Sequence, residues 1–360
     1  MRIVVVDTYY DDFLKTCPIG NGNYQEELNK VLAMQFATAD FYSRNLRAQG
    51  HDVIDIIANH EKLQERWAAE HGCGTLLRPA WEQILLHNPD VIFFQDLSIF
   101  PIDRLHALKN SYLLVAQHSC PWAGDDSVSC FDIIMTSFPH YVPRIEALGV
   151  KAVYVPLAFE PSVVDYCFPD VFPVVPTETI QMDFGRIHDC VFIGGVGNPS
   201  HWKRGMETLE TVARDIPTFK WWGYGVETLP TGNILKQKYQ GQAWGREMYE
   251  ILLRSKIVLN RHGEVAQNFA NNMRLYEATG CGALLLTEDA SNIWDLFRGG
   301  EIATYLTPGD AVQKIKHYLA HEDERADIAS RGQRRTFADH TYAKRMKQVS
   351  DVLIGALQAA

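Results

Sequence analysis

The densest chemistry in the chain lies between Asn260 and Glu288, where an apolar run ends in the polar stretch N-R-H-G-E-V-A-Q-N-F-A-N-N-M-R-L-Y-E and then resumes. A strand over Ile257–Leu259 followed by a polar loop from Asn260 would feed a helix starting near Asn271 or Asn272. Asparagine caps the free N–H groups of a helix start, and those same N–H groups favour an anion. Arg274 falls in the first turn of that helix, where a cation opposes the helix dipole and calls for an external anion. Glu277, three residues on, shares the face of Arg274. Its carboxylate could accept both hydroxyls of a ribose, or the two residues could form a plain ion pair.

A second set of groups is Gly194-Gly195-Val196-Gly197 with Lys203 and Arg204. Glycines let a backbone approach a phosphate closely, and two cations could stabilise a diphosphate leaving group. The turn has neither the full G-x-G-x-x-G spacing nor a P-loop lysine. No D-x-D occurs in the chain, so a metal-held diphosphate has no evident ligands; no metal and no cofactor are expected. His317 and His321 have the i,i+4 spacing of metal ligands, but Tyr318 stands where a zinc protease needs glutamate, and two solvated histidines are the simpler expectation. Earlier in the chain, His118, Asp96, Asp11 and Asp12 follow apolar runs and could serve as acid or base. The loop Gly20-Asn21-Gly22-Asn23 reads as flexible and chemically silent.

The elements that must carry these groups alternate. Apolar runs Arg2–Val6, Val53–Ile57, Val91–Gln95, Tyr112–Ala116, Ile133–Thr136 and Ala152–Val155 read as strands buried on both faces. Segments of helical period lie between them, the longest over Leu28–Leu46. Prolines 161, 169, 173 and 176 then mark a connecting stretch. Alternation restarts with Cys190–Ile193, Phe219–Trp222, Ile257–Leu259, Ala283–Thr287 and a weak strand at Ile302–Tyr305. The pattern predicts an α/β protein of two doubly wound, Rossmann-like domains. Their expected bounds are 1–158 for the first, 159–187 for a linker, and 188–338 for the second. A C-terminal helix over 339–360 has packing back onto the first domain as one option. Ligands of such sheets bind outside the carboxyl ends of the strands, so a central cleft faced by both domains is the expected place for chemistry.

The run Arg274-Leu275-Tyr276-Glu277-Ala278-Thr279-Gly280-Cys281-Gly282-Ala283-Leu284-Leu285-Leu286-Thr287 resembles the donor-site helix and strand of GT-B glycosyltransferases, most of all the branch typified by the spore maturation protein CgeB. Asp189 to Gly195 with Arg204 resembles the opening of that branch's second domain, and Trp222-Gly223-Tyr224-Gly225 resembles the tract that closes on the nucleotide base. These matches span residues 189 to 288.

The resemblance implies a GT-B enzyme that moves a sugar from a nucleoside diphosphate to an acceptor such as a glycan, a lipid-linked saccharide, a protein or a small molecule, without a metal. Glu277 would take the ribose and Tyr224 the base. Gly194, Gly195, Lys203, Arg204, Asn260, Arg261, Asn271, Asn272 and Arg274 would line the donor site, chiefly at the diphosphate. His118, Asp96 and Asp12 would stand on the catalytic side, since inverting members draw their base from first-domain loops. Retaining members carry a second acid eight positions before the ribose-binding glutamate, and that position here is Phe269. The rival readings are a sugar-nucleotide epimerase of the same shape and a non-catalytic nucleotide-sugar-binding module.

Bulk properties fit this frame. The 360 residues are about twice the usual domain length of roughly 100–200. Lys and Arg number 34 against 44 Asp and Glu, a net charge of −10 that disfavours a sequence-independent grip on nucleic acid. Seven scattered cysteines without a C-x-x-C pair suit a reducing compartment. The four-residue apolar run at the N-terminus is short for a signal peptide. The expectation is a cytoplasmic enzyme of polysaccharide biosynthesis, touching a membrane peripherally if its acceptor is lipid-linked.

Overall fold

A computed structural model describes residues 1–73, 79–167, 185–196 and 205–359. The chain forms two compact units, Met1–Pro156 with Tyr342–Ala360, and Leu157–Thr341.

The first unit is built on strands β1 (Arg2–Asp7), β2 (Asp52–Ile57), β3 (Val91–Phe94), β4 (Leu113–Gln117), β5 (Ile133–Thr136) and β6 (Lys151–Tyr154). They pair in parallel in the order β2-β1-β3-β4-β5-β6. Ile3, Val4, Val6 and all of Val91–Phe94 are fully buried, as a sheet covered on both faces requires. The order reverses between β1 and β3, which places the ligand-binding edge of this unit at the carboxyl ends of those two strands. The C-terminal helix Tyr342–Ala359 belongs to this unit. Its Tyr342 ring lies 5.3 Å from that of Phe41, and its Arg345 and Gln348 donate to the carbonyls of Pro156 and Tyr154. The helix packs on the helix Phe41–Arg47, and its Gln348 supplies a donor to one backbone carbonyl of β6.

The second unit carries β7 (His188–Ile193), β8 (Phe219–Trp222), β9 (Ser255–Asn260), β10 (Leu284–Glu288) and β11 (Ala303–Tyr305), parallel and ordered β11-β10-β9-β7-β8. This repeats the order of the first five strands of the first unit, with the reversal between β7 and β9. Trp221 sits in its core, fully buried, with the indole N–H donated to the Leu235 carbonyl at 2.7 Å. The stretch read as a connection opens inside this unit. Phe159 N–H donates to the His340 carbonyl, and the helix Val163–Cys167 is held by Arg246, which donates to the Cys167 carbonyl. Prolines 169, 173 and 176, like Gly197, Lys203 and Arg204, lie outside the described residues.

The long helix expected over Leu28–Leu46 is two helices, Tyr24–Leu32 and Phe41–Arg47. Between them Gln35, Ala37 and Ala39 take left-handed backbone angles, with φ of 58°, 50° and 39°. The break swings Phe36 onto Phe13, ring centroids 4.0 Å apart and ring planes nearly parallel, so aromatic burial overrides the helical period. The Gly20–Asn23 loop, read as flexible, is fastened: the buried Glu27 carboxylate accepts the N–H groups of Gly20 and Gly22, and Arg66 donates to both their carbonyls. Because a side chain in the left-handed region costs about 1–2 kcal/mol that glycine does not incur, Ala37→Gly is expected to raise stability by about 0.5–1 kcal/mol after glycine's larger unfolded-state entropy is deducted. Urea unfolding measures this, and a comparable loss would contradict the left-handed turn.

Candidate functional site

In the second unit the glycine turn after β7 and the polar loop after β9 meet where the strand order reverses. The β7–β8 ladder continues past the strands: Gly194 N–H donates to the Trp222 carbonyl at 3.0 Å and Val196 N–H to the Tyr224 carbonyl at 2.9 Å. A Cβ at Gly223 or Gly225 would run into the carbonyl oxygens of Gly194 or Val196, and both glycines have positive φ, 147° and 90°. Glycine at these two positions is therefore what lets the two loops lie side by side. Between the glycines Tyr224 faces Trp244, their rings stacked with centroids 6.0 Å apart.

From the end of β9, Arg261 reaches across the reversal and donates to the Gly195 carbonyl at 2.6 Å. Its side chain is buried beside Gly205, where an added Cβ would stand 2.7 Å from the arginine Cδ. Burial pulls the guanidinium pKa down to about 10, with Tyr305, Glu264 and Glu288 acting in the opposite sense, so the cation persists at neutral pH. Asn260, also buried, donates to Thr287 on β10, while its own carbonyl accepts the Tyr305 hydroxyl.

The helix after this loop begins at Arg274, with Met273 at the N-cap and no side-chain cap. Asn271 and Asn272 are thus not the helix cap expected of them. Asn271 N–H points to the His262 ring at 3.5 Å, and the Asn272 side chain ties back to Asn260 and Arg261. The contacts Asn272 gains with the preceding strand end outweigh its capping preference. Arg274 and Glu277 do form the i,i+3 ion pair, at 2.7 Å and largely buried, and Tyr249 donates to the second carboxylate oxygen at 3.3 Å. The Nε of Arg274 is buried without a hydrogen-bond partner among the described residues. An unpaired buried donor of this kind seeks an acceptor. His262, buried between the Asn271 N–H and Thr287, was not singled out from sequence, since a histidine inside a polar loop carries no periodic signal.

In the first unit, Asp12 is exposed and paired with Lys15 at 2.8 Å. Asp96 accepts the Thr8 hydroxyl at 2.8 Å and caps Ser98. His118 is fully buried; its Nδ1 lies 3.4 Å from the Cys120 thiol, its ring stacks on Tyr141, and its Nε2 has no partner among the described residues. Burial, with Arg144 nearby, lowers its pKa to about 4, so the ring is neutral at pH 7. Asp7, at the end of β1, is the first-unit carboxyl poised to titrate near neutrality. Burial raises it from 3.8 to about 7, only partly countered by the Thr8 N–H and the Thr38 hydroxyl. Composition gave no sign of this, because it depends on what covers the strand end. Among the described residues no three His, Cys, Asp or Glu side chains gather as metal ligands, and His317 instead pairs with Glu324. No described helix is long and apolar enough to cross a membrane.

Comparison with known proteins bears on both units. Residues 204–351 match the family model Glyco_trans_1_2, described as glycosyl transferase-like. The whole chain is similar in fold to sucrose-phosphate synthase from Thermosynechococcus elongatus (TM-score 0.59, 12% identity, 100% of each chain covered). It is likewise similar to Anabaena Alr3699/HepE, solved with UDP-glucose (TM-score 0.60, 11% identity, 99% and 100% covered). A third similar structure is AviGT4, a glycosyltransferase of avilamycin A biosynthesis (TM-score 0.58, 12% identity, 100% and 98% covered). No curated protein matched by sequence. Two parallel-sheet α/β domains in this arrangement of strands are the GT-B glycosyltransferase fold.

The raised Asp7 pKa has a definite sign. The unfolded chain releases this proton near 3.8 and the native chain holds it to about 7, so this group's contribution to stability falls as pH rises between those values and stays low above them. Asp7→Asn is expected to stabilise the protein at pH 8, by no more than about 4 kcal/mol, and to gain little at pH 4. Thermal unfolding at the two pH values measures this; equal effects at both would contradict it.

Proposed function

We propose that the protein is a glycosyltransferase that moves a sugar from a nucleoside diphosphate to an acceptor hydroxyl without a metal. The observation that carries this reading is the glycine turn after β7 linked by Arg261 to the end of β9, at the strand reversal where doubly wound sheets bind ligands. Arg261, Arg274 through its unpaired Nε, and the backbone of Gly194 and Gly195 suit a diphosphate. Lys203 and Arg204, by sequence, would add to that charge. Glu277 suits the ribose once Arg274 turns to the phosphates, and Tyr224 beside Trp244 offers an aromatic face for the base. As the anomeric C–O bond breaks, its electron pair leaves with the diphosphate, and fixed cations that meet this growing charge lower the barrier.

The first unit would receive the acceptor, with Asp96 and His118 at the carboxyl edge of its sheet; Asp12, exposed and ion-paired, suits the part least. The 274–287 run supports a place near the CgeB-like branch. A cytoplasmic hexosyl transfer in polysaccharide assembly is the setting this reading favours. A fold likeness to a putative UDP-N-acetylglucosamine 2-epimerase from Listeria monocytogenes (TM-score 0.54, 10% identity) keeps epimerisation as the second reading. Incubation with UDP-N-acetylglucosamine alone separates them: an epimer supports the second, slow release of free sugar the first. HepE was solved with UDP-glucose, so uridine nucleotides are the first probes. Calorimetry should find UDP bound by the wild type and about tenfold more weakly by Glu277→Gln, the loss of one charged hydrogen bond. Equal affinities would remove Glu277 from the site.

A further inference from the structure

Asn272 stands at the carboxyl edge of the second sheet, two residues before the helix Arg274–Gly280. Its amide nitrogen donates twice, to Asn260 Oδ1 at 2.9 Å and to the Arg261 carbonyl at 2.9 Å. A side-chain amide carries two N–H groups, so both are engaged. The orientation of the amide follows from its partners. A backbone carbonyl only accepts, hence the Asn272 atom facing Arg261 is the nitrogen. Asn260 is oriented in turn by its own donation to the Thr287 hydroxyl at 2.9 Å. What remains is Oδ1, buried and without a partner among the described residues.

Buried polar atoms in native proteins are nearly always satisfied, and one that is not asks for an explanation. An oxygen with no proton to give can meet only a donor. It repels a phosphate, which also offers only acceptors at neutral pH. The helix-cap position would have made Asn272 a phosphate ligand; the observed geometry makes it the reverse. Its neighbours complete the contrast, since Arg274 Nε and the Arg261 guanidinium are donors that suit an anion.

We infer that Asn272 Oδ1 accepts a hydroxyl of the nucleotide sugar, and so selects for the hydroxylated ligand rather than holding its diphosphate. This deepens the proposed function and rests on it. The hydroxyl belongs either to the ribose or to the transferred hexose; the chemistry is the same, and the test separates them.

The experiment is calorimetry of the full chain with UDP-glucose, UDP and 2′-deoxyuridine 5′-diphosphate, for the wild type, Asn272→Ala and Asn272→Asp. Two affinity ratios are read for each protein: UDP-glucose over UDP, and UDP over its 2′-deoxy form. Ratios cancel a general loosening of the loop. Asn272→Ala should lower one of them about tenfold, as one hydrogen bond is lost: the first if the partner is the hexose, the second if it is the ribose. Asn272→Asp keeps an acceptor and should retain that ratio even where its absolute affinities fall by charge repulsion. Both ratios unmoved in Asn272→Ala, or the affected ratio lost equally in Asn272→Asp, would overturn the inference. Should Asn272→Ala fail to fold, Asn272→Leu, which keeps the side-chain volume and has no acceptor, takes its place in the same comparison. If the wild type binds neither UDP nor UDP-glucose, the proposed function itself fails, a result distinct from binding with unchanged ratios.

Discussion

The hydrogen bond from Arg261 to the Gly195 carbonyl joins the ends of β7 and β9, the two strands at which the order of the second sheet reverses. It takes a guanidinium out of water, and burial lowers its pKa to about 10. The protein accepts that cost and shapes its surroundings to it. Gly205 has no side chain where Arg261 passes, and Gly223 and Gly225 have none where the loop carrying Gly195 runs beside them. A ligand that brought negative charge to this point would recover part of the desolvation already incurred.

Seen from that bond, the rest of the site divides by hydrogen-bonding character. Arg261 and Arg274 bring donors. Glu277 and Asn272 bring acceptors, with Glu277 held by Arg274 and Tyr249. A nucleotide sugar has the complementary division, acceptor oxygens on its diphosphate and donor hydroxyls on its sugars. Under the proposed function, ligand entry would exchange the buried ion pair for contacts with the two halves of one molecule.

Much of this architecture was legible in the sequence, for physical reasons. Runs such as Val91–Phe94 have one reading, since no surface strand is apolar at every position. The spacing put Arg274 and Glu277 on one face and left an ion pair open as one of two readings, the one the structure shows. What stayed hidden depends on groups far apart in the chain. Asn272 looks like a helix cap until Asn260 and Arg261 are seen to claim both its N–H groups. Leu28–Leu46 reads as one helix until Phe13 draws Phe36 out of it. The position of His118 after a strand is legible, but its burial against Tyr141 and Trp122, which lowers its pKa to about 4, is not. The weight of Asp7 is set by its cover rather than by its neighbours in sequence.

Arg261, charged at neutral pH, stands at the strand reversal of the second unit, where the proposed function puts a diphosphate. Calorimetric titration of UDP into Arg261→Met tests this placement most directly, because methionine keeps much of the packing while removing charge and donors. The expected loss of affinity is about 10- to 100-fold, the worth of hydrogen bonds to a charged group, with the folded state retained by circular dichroism. Wild-type affinity in the folded variant would contradict it.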